Sequence, residues 1–264
     1  MGDTTNSTEA GEPVLVSLIG AVATVRLNRP AKRNALDLTM RRAIADAFLA
    51  LERNEEVRSI VITGGETVFA AGADLNLLVE KGSQEVADLD LLQYWAPVAN
   101  SSRVVIAAVS GPALGAGCEL AMMCDFIIAD ASAKFGQPEL AVGIMPGAGG
   151  TQRLVRTLGK QVANMMLLAG EAIDGTRAFQ LGLVADLADD PAGVLARAQQ
   201  LAIRASRMPP KAVAATRRVL KQGADLPLDA ALLLENREFL LLFDTPDKLE
   251  GMRAFLEKRK PNFS

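Results

Sequence analysis

Gly111-Pro-Ala-Leu-Gly-Ala-Gly-Cys-Glu119, running on into Leu120-Ala-Met-Met-Cys124-Asp125, decides the fold. An apolar run, Val104–Val109, precedes it and stops at Ser110-Gly111-Pro112, as a buried strand stops at a turn. After the small residues the apolar spacing continues through Cys124 as a helix. A strand feeding a helix through a glycine-rich turn leaves backbone N–H groups free at the helix start, where they hold a negative oxygen. Gly115 and Gly117 allow a ligand to approach that backbone closely.

The neighbouring segments repeat the theme. Phe69-Ala-Ala-Gly72-Ala73-Asp74 is a second small-residue turn before a helix, and Phe135-Gly-Gln-Pro-Glu139 leads on to Pro146-Gly-Ala-Gly-Gly-Thr-Gln-Arg153. A nucleotide loop is a poor reading of either glycine-rich stretch. Gly115-Ala-Gly117 meets Leu120, and Gly147-Ala-Gly149 meets Gln152, where a dinucleotide fingerprint wants its third glycine. Neither stretch ends in the Gly-Lys-Ser/Thr of a phosphate loop.

Residues 14–27 read as two short strands around Gly20, broken by Asn28-Arg29-Pro30. Leu36, Met40, Ile44, Phe48 and Leu51 then fall at helical spacing, with Asp37 at the helix start. Ser59–Thr63 reads as a buried strand, and residues 125–129 as another. Past about Asp189 the pattern turns helical over 194–204, 211–221, 228–243 and 248–258. The organisation is therefore a disordered polar tail over 1–13, an α/β core over 14–190 and a helical region over 191–264.

Composition narrows the chemistry. The 264 residues suit one large domain, or one domain with a helical extension. A net charge of -3, from 28 basic and 31 acidic side chains, argues against a nucleic-acid binder. Histidine is absent, which removes Ser-His-Asp and Cys-His nucleophilic machinery and the commonest zinc ligand. Cys118 and Cys124 form neither a disulfide framework nor a metal pattern, and read as buried small hydrophobes in a reducing, cytoplasmic setting. No signal peptide and no membrane span are legible, and no metal is expected.

Proton transfer must then come from carboxylates, Lys, Cys or Tyr94, the only tyrosine. Glu119 and Glu139 lie beside the two glycine-rich stretches. Two N–H-bearing turns and two carboxylates suit enolate chemistry beside a thioester: the N–H groups hold the oxyanion, one carboxylate activates water and one carboxylic acid protonates carbon. An apolar pocket pushes two such pKa values apart. Plainer readings stand beside this one. Glu119 also reads as a first-turn glutamate favoured by the helix dipole, Glu139 as a surface residue after a proline, Asp125 as a turn or capping residue, and the turn at 146–150 as a helix start.

These pieces resemble the enoyl-CoA hydratase/isomerase (crotonase) superfamily. The matches are Leu27-Asn-Arg-Pro30 with Asn34-Ala-Leu36, the turn at 69–74, Ala113 to Asp125, Phe135 to Glu139, Pro146 to Arg153, Ala178-Phe-Gln-Leu-Gly-Leu-Val184 and Glu250 to Lys260, in the family's order. The resemblance implies a superhelix of ββα turns with a helical C-terminal trimerisation region, assembled as a homotrimer or a dimer of trimers. It implies hydration of 2-trans-enoyl-CoA to 3-hydroxyacyl-CoA, with coenzyme A part of the substrate and no separate cofactor. By position, Ala73 and Ala116 donate the oxyanion-hole N–H groups, Glu139 protonates the α-carbon, Glu119 activates water, and Gly117 lines the thioester site. Lys32, Ala35, Ala71, Asp74 and Leu75 fall in CoA- and substrate-contacting segments, while Phe255 and Lys258 reach a neighbouring subunit's CoA. The family often has glycine where Ala116 stands, and some members have lysine where Asn76 stands.

Two alternatives remain open at this stage. One is an enoyl-CoA isomerase, which commonly keeps a single glutamate. The other is a non-catalytic CoA-ester binder or RNA-binding relative; the helix over 37–53 carries Arg41, Arg42 and Arg53 but no lysine, balanced by Asp46 and Glu52.

Overall fold

A computed structural model describes residues 11–263. Residues 1–10 of the expected tail lie outside the described residues. Glu12 and Pro13, assigned to the same tail, are instead tied down: Asn28 donates from its backbone to the Pro13 carbonyl at 2.8 Å and from its side chain to the Glu12 carbonyl at 3.0 Å.

The hairpin β1 (Val14–Ile19) and β2 (Val22–Leu27) turns at Gly20. Next comes α1 (Leu38–Arg53), capped by Asp37, whose carboxylate accepts from the Met40 N–H at 2.9 Å. Met40, Ile44, Phe48 and Leu51 form its buried face, as the spacing requires. After β3 (Ser59–Thr63), the short helices α2 (Ser83–Asp88) and α3 (Ala96–Ala99) precede two successive ββα turns. The first is β4 (Val104–Val109), β5 (Pro112–Leu114) and α4 (Ala116–Met123). The second is β6 (Phe126–Ala129), β7 (Lys134–Gly136) and α5 (Gly150–Leu168). Then follow β8 (Ile173–Asp174), α6 (Gly175–Gln180) and β9 (Asp186–Leu187).

Six strands form one sheet in the order β1-β2-β3-β4-β6-β9, and β5, β7 and β8 form a second. Only β1 is antiparallel in the large sheet. The first strand of each ββα turn therefore lies in the large sheet and the second in the small one, which makes the chain spiral. Because β2, β3 and β4 are parallel, the loops at 28–37, 64–74 and 110–116 all leave from the same edge. Carboxyl ends of parallel strands are where open α/β sheets bind ligands.

The helical region is α7 (Pro191–Ser206), α8 (Pro210–Gly223), α9 (Leu228–Leu242) and α10 (Pro246–Leu256). Its first helix belongs to the packing of the sheet. Val194, Ala198 and Ala202 of α7 bury Val22, Val61, Ile106, Ala108 and Ile128, one face of the large sheet. The opposite face packs on α1, α3 and α4 in the main core. Among the described residues, no helix is long and apolar enough to cross a membrane.

Candidate active site

The two small-residue turns come together. Ala70 and Ala113 pair as a parallel bridge, the Leu114 N–H donates to the Ala70 carbonyl at 3.0 Å, and the Phe69 and Ala70 N–H groups both donate to the Pro112 carbonyl. The backbones lie so close that a Cβ on Gly117 would stand 2.3 Å from the Ala70 carbonyl oxygen, a distance no side chain tolerates. A Cβ on Gly72 would stand 3.9 Å from the Ala116 nitrogen, so the turn ending at Ala73 abuts the start of α4. Neither the Ala73 nor the Ala116 N–H donates to another group among the described residues. Ala116 is the first residue of α4, where an N–H has no intrahelical partner. Its methyl is part of the main core.

One turn further along α4, Glu119 is only 2% exposed. Its dipole-only reading fails, because the carboxylate is held by a different helix. Oε1 accepts from the Ala148 and Gly150 N–H groups, both at 2.7 Å. The turn at 146–150 therefore starts α5 and also anchors Glu119, with the favourable end of the α5 dipole facing the charge. Oε2 has no hydrogen-bond partner among the described residues.

Glu139 follows the second glycine-rich stretch and is half-buried, not a surface residue. Its carboxyl lies over Gly115: a Cβ there would meet Glu139 Oε1 at 2.7 Å, and φ of +52° further favours glycine at this position. Burial pushes the Glu139 pKa up to about 7, its own backbone N–H opposes this, and the nearby Glu119 charge raises it further. Gln137, 1% exposed, lies between the two carboxylate segments. With its amide nitrogen turned toward Glu139, as its surroundings require, it donates to both carboxyl oxygens at 3.1 Å.

The CoA-side expectations fall on one edge. The loop carrying Lys32 and Ala35 pairs with the segment carrying Ala71, whose N–H donates to the Arg33 carbonyl at 3.0 Å. Asn34, fully buried, pins this loop by donating to the Gly64, Val68 and Phe69 carbonyls. Asp74 caps the short helix Leu75–Leu77, accepting from the Asn76 backbone at 3.0 Å and from its amide at 2.9 Å. Asn76 therefore folds back on Asp74. Leu75 stands exposed beside it.

Phe255 and Lys258 are not brought to the two glutamates of their own chain. The C-terminal segment runs past α10 to Phe263, whose carbonyl accepts from Arg58, at the start of β3 and the far end of the sheet. Phe255 is 84% exposed there. The neighbouring Arg259 is engaged by Glu250 and Glu257 and offers little to an outside phosphate. Asp125 accepts from the Val105 N–H and pairs with Arg217, joining α8 to the body. Cys118 and Cys124 are buried and free, and burial raises both thiol pKa values.

Sequence reasoning quoted Asn34 and Gln137 without giving them a role, and did not see Ala148 and Gly150 as anchors. A buried amide between a glycine and a proline was the available signal for Gln137. Arg41, named in the sequence only as one of the basic residues of α1, is 3% exposed, with its guanidinium 4.7 Å from the Trp95 ring centroid.

Two unpaired N–H groups at adjoining turns, one anchored carboxylate on the helix that starts there and a second carboxyl over Gly115 with its pKa pushed up to about 7 suit the class of enzymes that work by acid–base chemistry. The enoyl-CoA hydratase/isomerase family profile matches residues 19–264. A 2,3-dehydroadipyl-CoA hydratase of Escherichia coli K12 is 43% identical over 250 residues, covering 95% of this chain and 98% of that protein. A crotonyl-CoA hydratase of Syntrophomonas wolfei is 38% identical over 257 residues, 96% of this chain and 98% of that one. The crystal structure of an enoyl-CoA hydratase from Bacillus anthracis superposes with a TM-score of 0.90 at 31% identity, covering 95% of this chain and 98% of that one. The chain belongs to the enoyl-CoA hydratase/isomerase family.

Proposed function

We infer that this chain is an enoyl-CoA hydratase, a hydro-lyase that reversibly adds water to 2-trans-enoyl-CoA and gives 3-hydroxyacyl-CoA. The observation that carries the reading is the pairing of Glu119, anchored by two N–H groups, with Glu139, whose pKa sits near 7. The thioester oxygen lies between the Ala73 and Ala116 N–H groups. They strengthen their hold as charge moves onto that oxygen, and one such donor is worth about 10²–10³ in rate. Glu119 takes a proton from water through its free oxygen as the water oxygen bonds to C3. Glu139, a good part of which keeps its proton at neutral pH, gives that proton to C2 as the enolate collapses. Solvent exchange then returns a proton to Glu139 and removes one from Glu119, so the cycle closes.

Gly117 lines the thioester, and Lys32, Ala35, Ala71, Asp74 and Leu75 border the CoA and acyl groups. Coenzyme A is part of the substrate, with no further cofactor, metal or nucleic acid in the scheme. The apolar side chains α9 leaves uncovered, among them Leu233, Phe239 and Leu241, support self-association, which we read as a homotrimer or a dimer of trimers. In such an assembly Phe255 and Lys258 meet a neighbour's CoA. Two free buried thiols suit a cytoplasmic setting.

Incubation of the protein with crotonyl-CoA and, separately, with a 3-enoyl-CoA tests the activity. Hydration of the first that is faster than isomerisation of the second supports the hydratase. The reverse order makes the chain an isomerase.

A further inference from the structure

A cleft of about 1030 Å³ lies between α8 and the body of the molecule. One wall is α8, through Val213, Arg217, Leu220 and Lys221. The other is built from the end of α4, the starts of β4 and β6, and Arg153 of α5. None of the residues given a part in the reaction lines it. Its size stands at the upper end of the about 300–1,000 Å³ found for clefts that hold small organic ligands.

The lining combines two kinds of surface. Met123, Phe126, Val213 and Leu220 make it largely apolar. Set among them are three cations, Arg153, Arg217 and Lys221, and a single carboxylate, Asp125. A fourth cation, Arg218, is answered by Glu238. The chain does not use up the donors of the other three. Arg217 gives its Nε to Asp125 at 2.8 Å and its Nη1 to the Ser101 carbonyl, and its Nη2 has no partner among the described residues. Lys221 spends two of its three N–H bonds, on the Ala99 carbonyl at 2.7 Å and the Asn100 side chain at 2.6 Å. Arg153 reaches the Met122 carbonyl through Nη1 at 3.4 Å, while its Nε is buried without a partner. The three charges also feel one another. Burial lowers the Lys221 pKa, and Arg153 and Arg217 lower it further against the pull of Asp125. One carboxylate offsets one of three like charges, and an incoming anion would relieve the rest.

We propose that this cleft is a second ligand site, separate from the two glutamates, and that it takes an amphipathic anion: a carboxylate or phosphate head on an alkyl chain. The head meets the remaining donors of Arg153, Arg217 and Lys221, and guanidinium groups suit either head. The chain lies along Met123, Phe126, Val213 and Leu220, where it leaves water for an apolar wall. A neutral alcohol satisfies only the wall, and a bare anion only the cations.

Titration calorimetry on the full chain tests this, with decanoate, decyl phosphate, decanol and inorganic phosphate as probes and saturating butyryl-CoA present to occupy the thioester site. At least one of the two charged decyl probes should bind about tenfold or more tighter than decanol, the scale of a charge-assisted hydrogen bond, and tighter than inorganic phosphate. Decanoate against decyl phosphate then identifies the head. Lys221→Gln should weaken that binding about 3- to 10-fold, the scale of one hydrogen bond. Val213→Glu sets a carboxylate in the apolar wall and should weaken it more. Both variants should hydrate crotonyl-CoA as the wild type does. A charged decyl probe that binds no tighter than decanol, or no tighter than inorganic phosphate, overturns the proposal. Binding that either variant leaves unchanged also overturns it, because the ligand then sits elsewhere. So does the absence of binding, the result expected if a neighbouring subunit fills the cleft. None of these results touches the hydratase reading, which the crotonyl-CoA assay decides separately.

Discussion

The turn at 146–150 and the loop at 137–142 each support one carboxylate of the site, by opposite physical means. The first offers two backbone N–H groups and a helix dipole to Glu119, so a buried charge is stabilised where it stands. The second half-buries Glu139 over Gly115 and next to that same charge, and burial pushes its pKa up to about 7 even though Gln137 donates to it. In the proposed reaction, two residues of one type serve as base and acid because their supports differ, not because their chemistry does.

The largest expected effect comes from removing either carboxylate. Glu119→Gln and Glu139→Gln should each cost about 10²–10⁴ in kcat for crotonyl-CoA hydration, with the circular dichroism of the wild type retained. A double variant no slower than the worse single one would show that the pair acts as a unit.

Gly115→Ala probes the seat of the Glu139 carboxyl at the start of α4. Its Cβ would meet Glu139 at 2.7 Å in a left-handed backbone conformation, so the carboxyl must move or the turn must strain. We expect a tenfold or greater loss of kcat, on the scale of a misplaced proton donor (about 10²). Steady-state kinetics beside a melting curve separates this from unfolding.

The pH dependence sharpens the assignment. Glu139 must be protonated to donate, so kcat/KM for hydration should fall as pH rises through about 7. Gln137→Leu removes a donor to the ionised form, which should move that alkaline limb to higher pH. A limb that moves down would mean Gln137 does not donate to the carboxylate. The smallest effect is expected at Lys258→Ala. A solvent-exposed phosphate contact is worth about 0.2–1 kcal/mol, so KM for the CoA ester should rise no more than about fivefold at unchanged kcat.

Local pattern made much of this legible. Helical spacing with an Asp37 cap marked α1, and glycine-bounded apolar runs marked β3, β4 and β6. Glu119 and Glu139 were singled out beside the small-residue turns, but local pattern left their plainer readings open and the family resemblance supplied their roles. What local pattern could not carry was contact between distant segments. Glu119 is held by N–H groups 29 and 31 positions away, and nothing in its own helix announces them. Arg41 lies among charged neighbours on α1, and only the packing of Trp95 shows that it faces inward. The switch to helices near 190 was plain, yet that α7 covers a sheet face depends on which apolar side chains remain exposed after the sheet forms. The polar tail reading failed at Glu12 and Pro13 for a similar reason, because their carbonyls are claimed by Asn28.

The most direct test of the two-support account is the loss of enoyl-thioester ultraviolet absorbance on mixing crotonyl-CoA with wild type, Glu119→Gln and Glu139→Gln. Rapid loss with the wild type, suppressed about a hundredfold or more by either substitution, is the expected result. Loss that survives either substitution nearly unchanged would contradict the account.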